Sequence, residues 1–259
     1  MFQKNLFEGK TVLVSGGGSG IGLAIAKAFL GLGARVWIVG RNETRLNEAL
    51  AVLSAPGKAH SMAVDIRQPE QAALLADAIA STGEGLDVLV NNAGGQFPSP
   101  AVDISPKGWQ AVVNTNLNGT WYMTQTMAQR FMLPAQSGVI VNIVMNMYRG
   151  FPGMAHSAAA RAAVSNLTKT LAVEWARKGI RVNAIAPGII QSSGLDQYPP
   201  ELTRDLASKI PAGRLGSVEE VASLVLYLAS PLAAYITGDT IYMDGGSRLW
   251  GDFYPLDDY

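Results

Sequence analysis

The sequence predicts an α/β protein built on one doubly wound parallel sheet. Short apolar runs rich in β-branched residues alternate with Ala- and Leu-rich stretches of helical period along the whole chain. A glycine-rich loop joins the first apolar run to the first helical stretch. No linker, repeat or low-complexity segment interrupts the alternation, so residues 1–259 read as a single domain.

The elements follow in order. Val12, Leu13 and Val14 form the first buried strand. Gly16, Gly20 and Gly22 come next with the spacing GxxxGxG, and residues 23–32 form the first helix. A strand, a glycine turn and a helix in that order make a dinucleotide site. One glycine permits the tight turn, one admits a pyrophosphate to the backbone, and one lets the helix pack close to the sheet. The helix N-terminus then offers N–H groups to phosphates. The bland alternative for this segment alone is an ordinary glycine turn. Residues 35–40 are the second strand and 43–53 a helix, with Leu46, Leu50 and Leu53 at helical spacing. Residues 59–64 and 86–90 are strands three and four, with a helix over 69–81 between them. A long helix covers 106–132, strand five 139–144, a second long helix 155–178, and strand six 181–185. Residues 188–216 are too long for a plain connection and read as a substrate lid. A helix over 218–228 and a strand over 240–243 close the chain.

Composition excludes several classes of function. The chain carries 20 basic and 20 acidic residues, so nothing in its charge favours nucleic acid or an anionic membrane. Cysteine is absent, which removes disulfides, thiolate metal sites and cysteine nucleophiles. Two histidines, His60 and His156, cannot build a His-rich metal site, and no metal is expected. There is no apolar run of membrane-spanning length and no signal peptide, which predicts a cytoplasmic protein.

The second strand ends at Gly40 with Arg41 and Asn42 beyond it, and no acid stands there. In such folds an acid at this point holds the adenosine ribose of NAD, whereas an arginine accommodates the 2′-phosphate of NADP. NADP(H) is the expected cofactor; the alternative is that Arg41 is a solvated surface residue. Asp65 and Ile66 end strand three, and Asn91, Asn92, Ala93 and Gly94 end strand four, where ligands of open α/β sheets bind.

These motifs are similar to those of the short-chain dehydrogenase/reductase family. Residues 15–22 resemble its TGxxxGIG loop, with Ser15 for the usual Thr, and Asn91-Asn92-Ala93-Gly94 is a hallmark of it. The likeness covers essentially the whole chain and implies a Rossmann-type fold. It implies cofactor contacts at Gly16, Ser19, Gly20, Ile21, Gly22, Asn92, Ala93 and Gly94. It also implies an adenine contact at Asp65, and a nicotinamide contact from Pro187, Gly188 and Ile189 after strand six. Asn116 resembles the family's structural and proton-relay asparagine, and Asp244-Gly245-Gly246 its C-terminal motif. The resemblance further implies a homotetramer, reached in part through the aromatic, acidic tail over 248–259.

The family's active site is a Ser followed by Tyr-x-x-x-Lys. Here those positions hold Met145, Ser157 and Arg161. Arginine can hold a ribose but cannot act as a neutral acid at pH 7. Residues 91–121 and 156–164 resemble the family's trans-2-enoyl-CoA reductases, whose Tyr-x-x-x-Lys lies two turns further on. In that frame Lys169 is kept and Ser165 replaces Tyr. Lys169 lies eight residues past Arg161, roughly 12 Å along a helix, so both cannot reach one ribose. Tyr148, in the loop after strand five, is left as the candidate general acid, the alternative being that it packs or lies exposed. The candidate catalytic set is Asn116, Tyr148, Ser157, Arg161 and Lys169, with Arg161 also near the cofactor. Phe151, Met154, Tyr198 and Trp250 are candidates for an acyl pocket. The resemblance implies a small-molecule substrate, an acyl thioester whose C=C bond is reduced. Two alternatives stay open: an alcohol dehydrogenase or ketoreductase of the same family, and a cofactor-binding protein without turnover.

Overall fold

The computed structural model describes residues 2–195, 198 and 203–250. Seven parallel strands form the central sheet in the order β3-β2-β1-β4-β5-β6-β9. They are β1 (Thr11–Ser15), β2 (Arg35–Gly40), β3 (Ala59–Ala63), β4 (Val88–Asn91), β5 (Gly138–Ile143), β6 (Ile180–Pro187) and β9 (Thr240–Met243). A two-stranded pair, β7 (Ile190–Gln191) and β8 (Gly216–Ser217), lies outside it. The strand order reverses between β1 and β4, which opens a crevice at the carboxyl ends of the strands.

The apolar runs are continuous because both faces of the sheet are covered. Val12 and Val14 of β1 point to one face and Leu13 to the other, and all three are fully buried. The first face packs on α1 (Gly20–Leu30), α2 (Glu43–Leu53) and the C-terminal helix α8 (Val218–Ala229), through Ile25, Phe29, Leu46 and Val225. The second packs on α3 (Pro69–Ser81), α5 (Gly119–Met127) and α7 (Ala155–Trp175), through Leu75, Ile79, Met123 and Leu171.

The expected long helix over 106–132 is not uniform. It runs as α4 (Pro106–Val113), a π-segment at Asn114–Asn118, then α5, a second π-segment at Ala128–Met132, and α6 (Leu133–Ala135). π-Bulges tend to fall at functional sites because they re-aim a side chain, and the first one here carries Asn116. A ladder of buried amides and hydroxyls ties α5 and α7 to the sheet. Asn91 Nδ2 donates to Thr124 Oγ1 at 2.8 Å and to Asn142 Oδ1 at 2.9 Å, and Asn142 Nδ2 donates to Thr168 Oγ1 at 2.9 Å. The stretch expected to be a lid contains β7, a 3-10 turn at Ala207–Lys209 and β8, while residues 196–197 and 199–202 lie outside the described residues. The tail beyond residue 250 does so too. Among the described residues, no helix is long and apolar enough to cross a membrane.

Candidate active site

The glycine loop is shaped by close backbone approach. A Cβ on Gly22 would stand 2.2 Å from the Gly16 carbonyl oxygen, and one on Gly16 would stand 2.9 Å from Ala93 Cα. Gly16 and Gly20 also have φ of +67° and +51°, which disfavour a side chain. Ser15 Oγ accepts the N–H groups of Asn92 and Ala93 at 3.1 and 3.0 Å, and Asn92 Nδ2 donates to the carbonyls of Ser15 and Gly16. The serine thus welds the loop to the end of β4. Ser19, at the N-cap of α1, spends no side-chain hydrogen bond on the cap.

These elements open onto one cleft of about 1930 Å³, roughly twice the volume of a drug-sized ligand site. It has room for a dinucleotide and a second molecule. Of the residues expected to hold the cofactor, Gly16, Ser19, Gly20, Ile21, Arg41, Asn42, Asp65, Ile66, Asn92, Ala93, Gly94, Arg161, Pro187, Gly188 and Ile189 line it. Gly22 lies behind the wall and shapes the loop. The residues present fit a nicotinamide dinucleotide: where a Cβ would clash, the chain has glycine, and the N-terminus of α1, with no side-chain cap, opens onto the cleft where it would receive phosphates. On the cleft wall after β3, Arg67 holds both Asp65 oxygens, and this hydrogen bond keeps the Asp65 carboxyl below its ordinary range. Asn42 caps α2 by accepting from Arg45 N at 2.9 Å, and Arg41 stands beside it on the cleft.

The catalytic expectations divide. Met145 and Ser157 meet, with Ser157 Oγ 3.6 Å from Met145 Sδ. Arg161 lies one turn beyond on α7, only 9% exposed, yet on the cleft wall. Its Nη1 donates to the Ile143 carbonyl at 2.5 Å, and a Cβ on Gly94 would stand 2.0 Å from its Nη2. No carboxylate among the described residues pairs with it. Burial alone lowers its pKa to about 10, so it keeps its charge at neutral pH.

Four residues sit differently from the expectation. Tyr148 is 63% exposed and packs edge-on against Tyr242, outside the cleft lining. The loop's turn through Gly150, at φ +76°, sends Arg149, Gly150 and Phe151 into the cleft instead. Lys169 lies on the far part of α7, in a separate surface hollow with Val173, Glu174 and Thr237. Asn116 is fully buried, and both ends of its amide are held by the Gly95 backbone, at 3.0 and 2.8 Å. It clamps the loop after β4 and presents nothing to the cleft. Ser157 is likewise fully buried, and its hydroxyl donates to Gln96 Oε1 at 2.7 Å.

Gln96 is the residue that sequence reasoning passed over. It lines the cleft, and Ser157 turns its NH2 group outward. Phe151, Met154, Tyr198 and Trp250 share that wall. His156 is buried, its Nδ1 accepting from Ser157 N and its ring edge-on to Phe97.

The sheet, its switch point and the glycine cradle define a dinucleotide-binding protein of the doubly wound class. Residues 16–248 match a family model described as enoyl-(acyl carrier protein) reductase. The chain belongs to the short-chain dehydrogenase/reductase family of oxidoreductases, which use nicotinamide cofactors. It is 42% identical over 256 residues to a probable 2,4-dienoyl-CoA reductase, (2E)-enoyl-CoA-producing, of Bacillus subtilis, covering 96% of this chain and all of the relative. It is 37% identical over 242 residues to a 3-oxoacyl-[acyl-carrier-protein] reductase of Thermotoga maritima, covering 92% and 98%. A crystal structure of a short chain dehydrogenase from Bacillus anthracis superposes with a TM-score of 0.90 at 41% identity, covering 97% of this chain and 100% of that one.

Proposed function

We propose that this protein is an NADPH-dependent reductase of a C=C bond conjugated to a thioester carbonyl, acting on 2,4-dienoyl- or trans-2-enoyl-CoA. The observation that carries the reading is Arg161, a buried guanidinium on the cleft wall with no carboxylate partner. Reduction of a carbonyl leaves charge on an alkoxide, which needs an acid at that oxygen, and arginine supplies none. Reduction of a conjugated C=C bond spreads charge onto the thioester oxygen as an enolate and takes its proton at carbon. A fixed cation in a site of low dielectric is what that oxygen needs. When bound, the reduced nicotinamide supplies the hydride. Asn116 holds the loop against which Arg161 rests, and Phe151, Met154 and Trp250 offer an apolar wall to the acyl chain. The named activity of the Bacillus subtilis relative supports the same class.

NADPH absorbance should fall when a medium-chain 2,4-dienoyl-CoA or trans-2-enoyl-CoA is added, and faster than with a 3-oxoacyl thioester. Faster turnover of the 3-oxoacyl thioester would replace this reading with carbonyl reduction. NADPH binding without oxidation by any of them would make the chain a cofactor-binding protein.

The preference for NADP rests on Arg41 and on the missing acid at the end of β2. Arg41→Asp is expected to reverse the ratio of kcat/KM for NADPH over NADH by about tenfold or more, the size of one lost charge-assisted phosphate contact. An unmoved ratio would make Arg41 a solvated surface residue. A homotetramer in the cytoplasm completes the proposal, and light scattering of the purified protein tests the assembly.

A further inference from the structure

The proposed reduction needs a donor for the proton that ends on carbon, and neither the loop tyrosine nor the helix supplies it. We propose that Tyr198 is that donor, held on the cleft wall by Gln96; the proposal rests on the reading of the site as a C=C reductase. Among the described residues, Tyr198 is the one tyrosine that lines the cleft. Its hydroxyl oxygen accepts from Gln96 Nε2 at 2.7 Å, and Gln96 Oε1 accepts from Ser157 Oγ at 2.7 Å.

Each bond in this chain orients the next. Ser157 is rooted in α7 and fully buried, and with its hydroxyl donating to Gln96 Oε1 the other end of the amide faces out. The outward end is NH2, a donor only. Filling one acceptor site on the phenol oxygen leaves the phenol proton unspent, and no described residue accepts it. One amide separates the helix that carries Arg161 from the Tyr198 hydroxyl. A conjugated thioester has the same division of labour, with its oxygen at one end and the carbon to be protonated a few atoms along. Arg161 takes the oxygen and Tyr198 faces the carbon.

The step balances. The double bond is reduced by hydride from the reduced nicotinamide, whose oxidation accounts for the electron pair. A C–H bond then forms at the α- or γ-carbon as the Tyr198 O–H bond breaks. The Gln96 N–H stabilises the phenolate left behind. Tyr198 is half-buried, so water restores its proton.

The test compares Tyr198→Phe with Tyr148→Phe and the unaltered protein. It measures kcat on a saturating unsaturated acyl-CoA. It also measures, by calorimetry without any reductant, the Kd of the saturated octanoyl-CoA. Loss of a general acid lowers turnover by roughly 10²–10⁴-fold. Tyr198→Phe is expected to lower kcat at least tenfold with the octanoyl-CoA Kd within twofold, and Tyr148→Phe to leave both unchanged. Equal kcat in Tyr198→Phe, or a weakened Kd with kcat intact, overturns the proton donor alone. If the unaltered protein oxidises NADPH with no unsaturated thioester, the function and the donor fall together. If Tyr148→Phe shows the selective kcat loss, the acid is Tyr148 and not Tyr198.

Discussion

Replacing Arg161 with methionine is expected to lower kcat/KM for an unsaturated acyl-CoA by about 10²–10³-fold, the usual loss when one donor to a developing oxyanion is removed. The melting temperature is expected to hold or rise. The two expectations together separate a working cation from a structural one. Arg161 is buried with a single carbonyl partner, Ile143, and burial is the only cause that moves its pKa, down to about 10. A cation whose pKa is lower folded than unfolded destabilises the fold below that pKa, and the penalty fades as pH rises through it. Removing such a charge in favour of an apolar side chain of similar volume is often neutral or stabilising. A drop in melting temperature larger than about 3 °C, roughly 1 kcal/mol for a chain of this size, would show that Arg161 holds the fold together. An unchanged kcat/KM would remove it from the chemistry. Arg161→Lys keeps a charge without the planar fork and should recover part of the lost rate. The same pKa sets an alkaline limit, because activity that needs the protonated guanidinium should decline as pH rises through about 10.

Most of the fold could be read from the chain because its signals are local. β2, α2, α3 and β9 fall at the residues that periodicity and turn chemistry indicate, since apolar spacing and flanking turn residues mark each element within its own few residues. The glycine loop is equally legible, because glycine at a close backbone approach is a requirement of the position itself. Side chains on loops are not. Tyr148 and Arg149 are adjacent, yet one packs outside on Tyr242 and the other lines the cleft. The turn geometry through Gly150 and Gly153 decides this, and no period encodes it. Gln96 is not legible from its local sequence for a different reason. Its role depends on Ser157, 61 residues away, and on Tyr198, 102 residues away. Lys169 shows the converse case. Its distance from Arg161 along one helix already set the two apart, and the structure puts it in a hollow on another surface. The family resemblance makes Asn116 a functional position, but its amide is spent on Gly95, so its contribution is to hold the loop.

Gly22→Ala is expected to weaken NADPH binding by more than about a hundredfold and to lower the melting temperature by several degrees. The added Cβ would stand 2.2 Å from the Gly16 carbonyl oxygen, 2.6 Å from Asn92 Nδ2 and 2.8 Å from the Gly16 carbonyl carbon. Two of those three atoms are backbone, so no rotamer change relieves the clash. Either α1 moves away from the loop or Gly16 moves out of its turn. The first course loosens Ile25 and Phe29 in the core, at about 1–3 kcal/mol for such overpacking. The second breaks the bonds from Asn92 Nδ2 to the Ser15 and Gly16 carbonyls, which hold the cradle to β4. Both courses displace the α1 N–H groups that would receive the cofactor phosphates, so affinity is expected to fall whichever is taken. Gly31→Ala is the matched control. It caps the same helix at φ −61°, and its Cβ would meet only carbonyl oxygens at 3.5 Å. That variant should fold and bind like the unaltered protein. If Gly22→Ala bound NADPH normally, the cofactor's phosphates would have to be held somewhere other than this loop.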